Sequence, residues 1–263
     1  MELVVVGAGP AYTNRRAAAA SSYLVRSGGA DGAGLLLDLG QGSFANLGAL
    51  MSPREPSQLT AVLISHLHPD HCIDLIPLRH YLRYEFEPRR RMRVLAPAGL
   101  ADRLDALDGH EGFSAASLDV ERLAEGSRTI GPFEVEAPKV THTDESYAFR
   151  VALAPAGSAP AGSSAPAGLV YSGDCARWED LGPLIRPGDT LLAEASFGPG
   201  PLPEGAQHLT SPDAARAAAA GKAARLLITH VQIGFSRAAT LAAAEAVFGG
   251  TIQLVTEGDR FEI

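Results

Sequence analysis

The chain contains little cysteine and no long apolar segment, and both absences restrict what it can be. Two cysteines among 263 residues cannot form a disulfide framework. No apolar run reaches the roughly 20 residues that a membrane-spanning helix needs, so we expect no membrane partner. Met1 leads directly into the apolar residues 3–6 rather than into a signal peptide. These features predict a cytoplasmic protein.

Basic residues are also scarce. The 22 Lys and Arg residues are outnumbered by 30 Asp and Glu residues, which leaves a formal net charge of −8. An acidic surface of this kind argues against a broad electrostatic grip on nucleic acid. Arg89, Arg90, Arg91 and Arg93 form a local cluster. A solvated face is the favoured interpretation of this cluster, and a phosphate-binding track is the alternative.

The length and composition are those of an ordinary globular protein. A chain of 263 residues can bury a substantial core, as one large α/β domain or two small ones. Apolar residues make up 46% of it and charged residues 20%. We expect a single domain over residues 1–263.

One short segment, Ser-His-Leu-His-Pro-Asp-His-Cys at residues 65–72, carries a dense set of candidate metal ligands directly after an apolar run. Imidazole suits zinc, copper, iron and nickel, and an added carboxylate favours zinc, iron or manganese. His66 and His68 are two positions apart and therefore point the same way on an extended backbone. Asp70 and His71 follow after the chain has turned and can serve a second ion. The segment predicts a metal site.

The pattern His66-x-His68-x-Asp70-His71 resembles the signature of the metallo-β-lactamase-fold hydrolases, and Asp38-Leu39-Gly40 resembles that family's Asp-x-Gly element. The similarity extends over nearly the whole chain. It implies an α/β fold of the four-layer αββα sandwich type. Segments of strand-like and helix-like sequence alternate along the chain, and five strands are expected to end in candidate polar groups at one edge of the sandwich.

His142, Asp174 and His230 each come after a segment that we interpret as a strand. Taken alone, each is more often structural than metal-binding. Their order after the first motif matches the superfamily, and the resemblance implies the sharing of ligands between two divalent ions. His66, His68 and His142 would hold the first ion; Asp70, His71 and His230 would hold the second; Asp174 would bridge them. A bridging hydroxide would then be the nucleophile, and Asp70 can orient it.

Two further elements point to one branch of this superfamily. Glu194 lies in Leu-Ala-Glu-Ala-Ser, and His208 lies in Gln-His-Leu-Thr ahead of an alanine-rich helix. Both resemble motifs of the ribonuclease Z-like phosphodiesterase branch. An imidazolium at His208 can stabilise charge on phosphorus or protonate the leaving alkoxide, and Glu194 can fix its tautomer and raise its pKa. Interpretation of His208 as a residue that merely precedes a helix stays open.

The expected substrate class follows from one difference between this chain and the ribonuclease Z-like branch. Its tRNA-processing members commonly carry a long basic arm, often between the third-motif His and the bridging Asp. Here the segment between His142 and Asp174 is rich in Ala, Pro and Gly, and Arg150 is its only basic residue. This segment therefore lacks the basic residues that would bind the phosphates of a large RNA. We expect a small phosphodiester such as a cyclic nucleotide as the substrate. The segments after His142 and before Asp174 also resemble actinobacterial proteins related to cyclic-nucleotide phosphodiesterases.

Several alternatives remain at the level of sequence. A tRNA 3′-end endonuclease, a lactone or ester hydrolase on the same fold, and a metal-binding protein without catalysis each fit part of the pattern. The ligands suit Zn²⁺ best, with Mn²⁺ and Fe²⁺ as alternatives. The resemblance also implies a homodimer.

Cys72 and Cys175 each follow a candidate ligand. Small buried thiols without a chemical role are favoured over thiols at the metals.

Overall fold

The fold consists of two β-sheets packed face to face with helices on both outer faces. The computed structural model describes residues 1–15, 18–28, 32–52, 55–155 and 166–263. Within these ranges the strands, in chain order, are β1 (Glu2–Gly7), β2 (Ser22–Arg26), β3 (Gly34–Leu37), β4 (Ala61–Leu63), β5 (Met92–Ala96), β6 (Leu118–Arg122), β7 (Ser127–Ile130), β8 (Phe133–Glu136), β9 (Phe149–Leu153), β10 (Leu169–Tyr171), β11 (Thr190–Glu194), β12 (Arg225–Thr229), β13 (Thr251–Leu254) and β14 (Arg260–Glu262).

The helices of the described ranges lie between the strands of each half. No helix there combines the length and the apolarity of a membrane span. The α-helices are α1 (Ser43–Leu50), α2 (Pro69–Cys72), α3 (Leu75–Tyr84), α4 (Leu100–Asp108), α5 (Ser211–Gly221) and α6 (Arg237–Glu245).

The two sheets have the same internal arrangement. The first has the strand order β14-β1-β2-β3-β4-β5-β6, and the second has the order β13-β12-β11-β10-β9-β8-β7. In the first, β3 to β6 pair in parallel, and in the second, β10 to β13 do. Because parallel strands bring their carboxyl ends to one edge, the loops after β3, β4, β10, β11 and β12 collect there.

Alternation along the strands separates three apolar layers. In β1, Leu3 and Val5 face the second sheet, and Val4 and Val6 face the helices. The layer between the sheets also contains Tyr171, and full burial of one such side chain contributes about 1.5–3 kcal/mol. The outer layers lie under α1, α3 and α4 on one side and under α5 and α6 on the other. This is the four-layer αββα sandwich expected from the sequence.

Helix α5 shows how the sequence determines local structure. Thr210 accepts a hydrogen bond from the backbone N–H of Asp213, and the Asp213 carboxylate accepts one from Thr210, which forms a capping box. Pro212 lies in the first turn, as expected for a residue without an N–H. Ala214 and Ala218 are fully buried, so the helix packs closely on the second sheet. The alanine-rich helix expected after His208 is therefore present.

The loops around the metal motif have defined local structures. Pro69 opens the short helix α2 within the motif, and α3 follows as a separate helix from Leu75. His142 was expected after a strand, but it lies in a bend-rich loop between β8 and β9. The segment 154–168 connects the antiparallel neighbours β9 and β10, and its residues 156–165 lie outside the described residues.

Candidate active site

Loops from both sheets bring the predicted ligands into two clusters that share one carboxylate. In the first, the ligand atoms of His66, His68, His142 and Asp174 all lie within 4.8 Å of one another. His142 Nε2 is 3.2 Å from His68 Nδ1 and 3.7 Å from Asp174 Oδ2. A ligand set of three imidazoles and a carboxylate is suited to a divalent transition metal.

The second cluster contains Asp70, His71, His230 and the same Asp174, again within 4.8 Å. Asp174 Oδ1 is 3.3 Å from His71 Nε2 and 3.7 Å from His230 Nε2. The other carboxylate oxygen, Oδ2, is 3.7 Å from His66 Nε2 in the first cluster. Asp174 therefore presents one oxygen to each cluster, which is the arrangement of a bridging carboxylate.

Backbone geometry at two strand ends helps to form this site. Asp38 after β3 has a φ of 58° and His230 after β12 a φ of 57°, a left-handed conformation that non-glycine residues rarely adopt. Gly40 passes so close to the metal loop that a Cβ atom there would clash with the backbone oxygen of Asp70. That contact is the physical reason for a glycine in the Asp-x-Gly element.

Four of the five clustered histidines are oriented through Nδ1 by a partner outside the clusters. Such a partner fixes the tautomer and leaves Nε2 for a metal. The pairs are His66 with Ser65 Oγ at 3.1 Å, His71 with Asp38 Oδ2 at 2.7 Å, His142 with the Gln207 carbonyl at 2.7 Å, and His230 with Ser196 Oγ at 2.9 Å.

Buried polar atoms test whether the site fits a metal. Among the described residues, His66 Nε2, His71 Nε2 and Asp174 Oδ1 are buried without a hydrogen-bond partner. Buried polar atoms in native proteins nearly always have a partner, and these three converge on the space between the clusters. Their donor chemistry is that of ligands for divalent cations, so the residues present fit two metal ions.

The electrostatics of the first cluster agree with this assignment, and those of the second cluster differ. Burial lowers the pKa of His66 well below its usual value and also lowers the pKa values of His68 and His142, which keeps them neutral as ligands must be. In the second cluster, burial lowers the pKa values of His71 and His230, but the charge of Asp174 outweighs burial and raises them. Burial opposes the ionisation of Asp174, but the nearby charges of His230 and His71 outweigh it and hold the pKa of that carboxyl well below its usual range. A buried carboxylate of this kind needs neighbouring positive charge.

A third group, Glu194 with His208, lies beside the two clusters. His208 Nδ1 is 3.0 Å from Glu194 Oε1 and 3.6 Å from Asp174 Oδ2. Burial lowers the pKa of His208, but the hydrogen bond and charge of Glu194 outweigh burial and raise the pKa to about 9. Glu194 is itself held by the backbone N–H of Cys175 at 2.8 Å. The pair therefore places a protonated imidazole next to the clusters.

Two functional neighbours were not among the predicted site residues. Asp38 is fully buried and accepts hydrogen bonds from Ser65, His71 and Tyr171. Through Ser65 and His71 it supports residues of both clusters. Ser196 contacts Glu194 and His230. Asp38 carried a sequence signal, since it directly follows an apolar strand in the Asp-x-Gly element. For Ser196, the only sequence signal was its position two residues after Glu194.

The remaining chemical side chains lie outside the clusters. His80 contacts the carbonyl of Ile76, and exposed His110 contacts Asp108. Cys72 donates to the His68 carbonyl and Cys175 to the Arg177 carbonyl. In the described ranges, neither thiol belongs to a potential ligand group.

The arginine cluster of residues 89–93 is largely paired on the protein surface. Arg91 Nε donates to Asp119 at 2.9 Å, and Arg93 Nε donates to Glu121 at 2.7 Å, both across the β5–β6 edge. Arg90 lies over the ring of Phe86. These contacts favour the solvated-face interpretation.

Comparison with known proteins identifies the family. The family model described as the β-lactamase superfamily domain matches residues 35–231, which include all seven candidate ligands. The chain belongs to the β-lactamase superfamily. An uncharacterized protein of Mycobacterium leprae, ML1173, is 34% identical over 93% of this chain and 82% of the relative.

Solved structures share the fold of this superfamily member over nearly the whole chain. The metallo-β-lactamase fold protein YhfI of Bacillus subtilis has a TM-score of 0.82 at 24% identity and covers 99% of both chains. The short form of human tRNase Z has a TM-score of 0.71 at 21% identity and covers 100% of this chain and 99% of its own. The family and the paired metal clusters together make the protein a metal-dependent hydrolase.

Proposed function

We propose that this superfamily member hydrolyses a small phosphodiester, such as a 3′,5′-cyclic nucleotide, with two divalent metal ions. The observation that carries the proposal is the Glu194–His208 pair beside the two clusters that Asp174 connects. A hydrolase that only opens lactones or lactams has no evident need for a protonated imidazole there. A phosphodiesterase must stabilise charge on phosphorus and protonate an alkoxide.

The metal assignment follows the two clusters. His66, His68 and His142 would hold one ion, and Asp70, His71 and His230 the other, with Asp174 shared. Bound divalent ions supply Lewis acidity toward the phosphoryl oxygens and a water that ionises near neutral pH. We propose Zn²⁺ as the native ion, since imidazole and carboxylate suit it best, and Mn²⁺ or Fe²⁺ as the alternatives.

The protein's own groups account for the proton movements. Asp70 Oδ2 is 3.3 Å from His230 Nε2 and 3.7 Å from His71 Nε2, so it can accept a hydrogen bond from the attacking water between them. His208, held at Nδ1 by Glu194, would donate from Nε2 to the leaving oxygen. Glu194 thus selects the tautomer and maintains the proton that His208 delivers.

The charge distribution favours a small substrate over a large RNA. Arg150 is the only basic residue between His142 and Asp174, and it is buried in an ion pair with Asp189, with 2.8 Å between Nε and Oδ2. It cannot contact a phosphate backbone from that position. Together with the net charge of −8, this leaves no basic arm in that segment to hold a tRNA.

We also propose that residues 1–263 form a single hydrolase domain. The first sheet supplies the metal motif after β4, and the second supplies Asp174, Glu194 and His230 after its parallel strands. Neither sheet has a complete ligand set alone.

The test uses bis-p-nitrophenyl phosphate and cyclic AMP with Zn²⁺ or Mn²⁺. We expect metal-dependent turnover of both, and His208→Ala should reduce kcat for cyclic AMP about 10²–10⁴-fold, because its leaving alkoxide needs a proton. His110→Ala is the matched control, because His110 is exposed and outside the clusters. Absence of turnover with both ions bound would refute the proposal. Undiminished activity of His208→Ala on a lactone, with no phosphodiester cleavage by the wild type, would favour the lactone hydrolase.

A tRNA 3′-end endonuclease is the second candidate, because the fold matches that of human tRNase Z over the whole chain. Cleavage of a precursor tRNA at a rate above that of cyclic AMP would favour it. The small-substrate proposal predicts the opposite order.

A further inference from the structure

A cavity of about 200 Å³ lies beside the proposed metal centre. It is formed by the loop after β1 and the loop after β12, and the end of β13 closes it from below. His230 belongs to both places, since it is a member of the second cluster and lines the cavity. The cavity therefore adjoins the second cluster at His230.

The walls and the rim of the cavity differ in character. Apolar side chains such as Ile228, Phe235 and Leu254 line its interior. Asn14 and Gln232 supply amide groups at the rim. Within the described residues, neither side-chain amide makes a hydrogen bond to the protein, and Gln232 is only partly exposed. Apolar walls with a few unpaired polar groups are typical of small-molecule sites.

Two arginines also line the cavity. Arg15 pairs with Glu257 at 3.2 Å, and Arg237 donates to the Leu254 carbonyl at 3.0 Å. The cavity therefore offers amide donors and acceptors beside two guanidinium groups that are partly engaged by the protein. Amides beside apolar walls suit a planar group with polar edges.

Aromatic contacts connect the cavity to the proposed acid. Phe235 packs against Phe197 with ring centroids 6.4 Å apart, and Phe197 packs against His208 at 6.1 Å. Gly198 has a φ of 47°, and a Cβ atom there would lie 2.7 Å from Cβ of Phe235. The backbone N–H of Gln232 donates to the Ser196 carbonyl at 3.3 Å. These contacts hold the cavity wall in place and connect Phe235 through Phe197 to His208.

We infer that this cavity binds the heterocyclic base of a nucleotide whose phosphodiester is cleaved at the metals. The inference rests on the proposed function and specifies its substrate class: a mononucleotide ester carrying an uncharged aromatic heterocycle. The base packs against Phe235 and the aliphatic wall, and Gln232 and Asn14 hydrogen-bond to its edge. A phosphodiester without a base uses only the metal site.

Kinetics on two substrates test the inference. Gln232→Ala and the double variant Asn14→Ala/Gln232→Ala are compared with the wild type on cyclic AMP and on bis-p-nitrophenyl phosphate. The ratio of kcat/KM for cyclic AMP to that for bis-p-nitrophenyl phosphate should fall about tenfold in the double variant, mainly through KM. Gln253→Ala is the matched control, since Gln253 is exposed on β13 outside the cavity lining.

A binding measurement separates the inference from the proposed function. Calorimetric titration of the Zn²⁺-loaded protein with adenosine, which has no phosphate, should show binding that weakens about tenfold in the double variant and not in Gln253→Ala. Adenosine binding without bis-p-nitrophenyl phosphate hydrolysis would refute the reaction but keep the base site. Phosphodiester hydrolysis with no adenosine binding, or with an unchanged substrate ratio in the double variant, would overturn the base site alone.

Discussion

Ser196 Oγ lies 2.9 Å from Nδ1 of His230. The same hydroxyl donates to Glu194 Oε2 at 2.6 Å, so it must accept from the N–H of the imidazole, because a hydroxyl has one proton to donate. This arrangement turns the Nε2 lone pair of His230 toward the second cluster. One small side chain thereby connects a proposed metal ligand with the carboxylate that holds the proposed acid.

Removal of this hydroxyl should weaken metal binding. Ser196→Ala leaves Nδ1 of His230 without its partner, and we expect the affinity for Zn²⁺ to fall about 10–100-fold. Competition with a chromophoric chelator measures the affinity directly, without reliance on turnover. Ser196→Thr keeps the hydroxyl and is the control. Equal affinities of the alanine variant and the wild type would contradict the orienting role.

The pH profile should report the protonated state of His208. Since Glu194 raises the pKa of His208 to about 9, the imidazolium is present below that pH and is lost as pH rises through it. The alkaline limb of kcat for cyclic AMP, whose alkoxide leaving group needs the proton, should therefore lie near pH 9. Glu194→Gln removes the charge that raises the pKa, and the limb should move down by about one to three pH units.

A carboxylate in the loop after β11 serves as the control for this shift. Glu204→Gln changes an exposed residue outside the clusters and should leave the limb in place. An alkaline limb that stays unchanged in Glu194→Gln would show that His208 is not the group that titrates.

Asp38 should matter more for stability than any surface carboxylate. It is fully buried and accepts hydrogen bonds from three side chains, so Asp38→Asn removes a charge that His71 opposes and places an N–H₂ group against donors. We expect a loss of about 3–5 kcal/mol in the free energy of unfolding by urea. Asparagine tolerates the positive φ at this position, so the backbone is preserved.

Asp119→Asn is the matched comparison, because Asp119 forms an exposed ion pair with Arg91. It should change stability very little. Similar losses in the two variants would contradict the central position that we assign to Asp38.

Removal of metal should lower the melting temperature. Metal bound to the folded state stabilises it by about 4 kcal/mol at a free concentration a thousandfold above Kd, which for a chain of this length corresponds to roughly 8–16 °C. Differential scanning calorimetry before and after treatment with a chelator measures the shift. Re-addition of Zn²⁺ should restore the original value. A melting temperature that does not respond to chelator or to Zn²⁺ would argue against a metal centre.

Both thiols should be unreactive in the folded protein. Burial raises the pKa values of Cys72 and Cys175 to about 12, which leaves almost no thiolate at neutral pH. Ellman's reagent at pH 8 should react with neither in the native state and with both in urea. Rapid modification of one thiol in the native protein would show that it lies in an accessible, functional position.

Much of the candidate site could be predicted from sequence because its chemistry is local. His66, His68, Asp70 and His71 lie within six positions, and Glu194 lies at the end of an apolar strand while Asp174 and His230 follow within a few residues of one. Parallel strands in one sheet bring their carboxyl ends together, so such residues are expected to meet. The two oxygens of Asp174 lie near different clusters, which supports the bridging role that we propose for it.

The partners that orient these ligands could not be predicted in the same way. Asp38 meets Tyr171 across a sequence separation of 133, and Ser196 meets His230 across 34, through hydrogen bonds that exist only when the sheets pack together. Strand β6 has no clear signal in the sequence, because its residues are mostly exposed and lack a clear apolar alternation.

The sequence by itself determined which side chains can bind metal, because motif spacing and strand ends are properties of neighbouring residues. Only the tertiary structure decided which nitrogen each histidine presents, how Ser196 connects His230 with Glu194, and that a cavity opens beside them. Those features depend on the distances between side chains from different loops. Such distances are set by the packing of the two sheets and not by the order of residues along the chain.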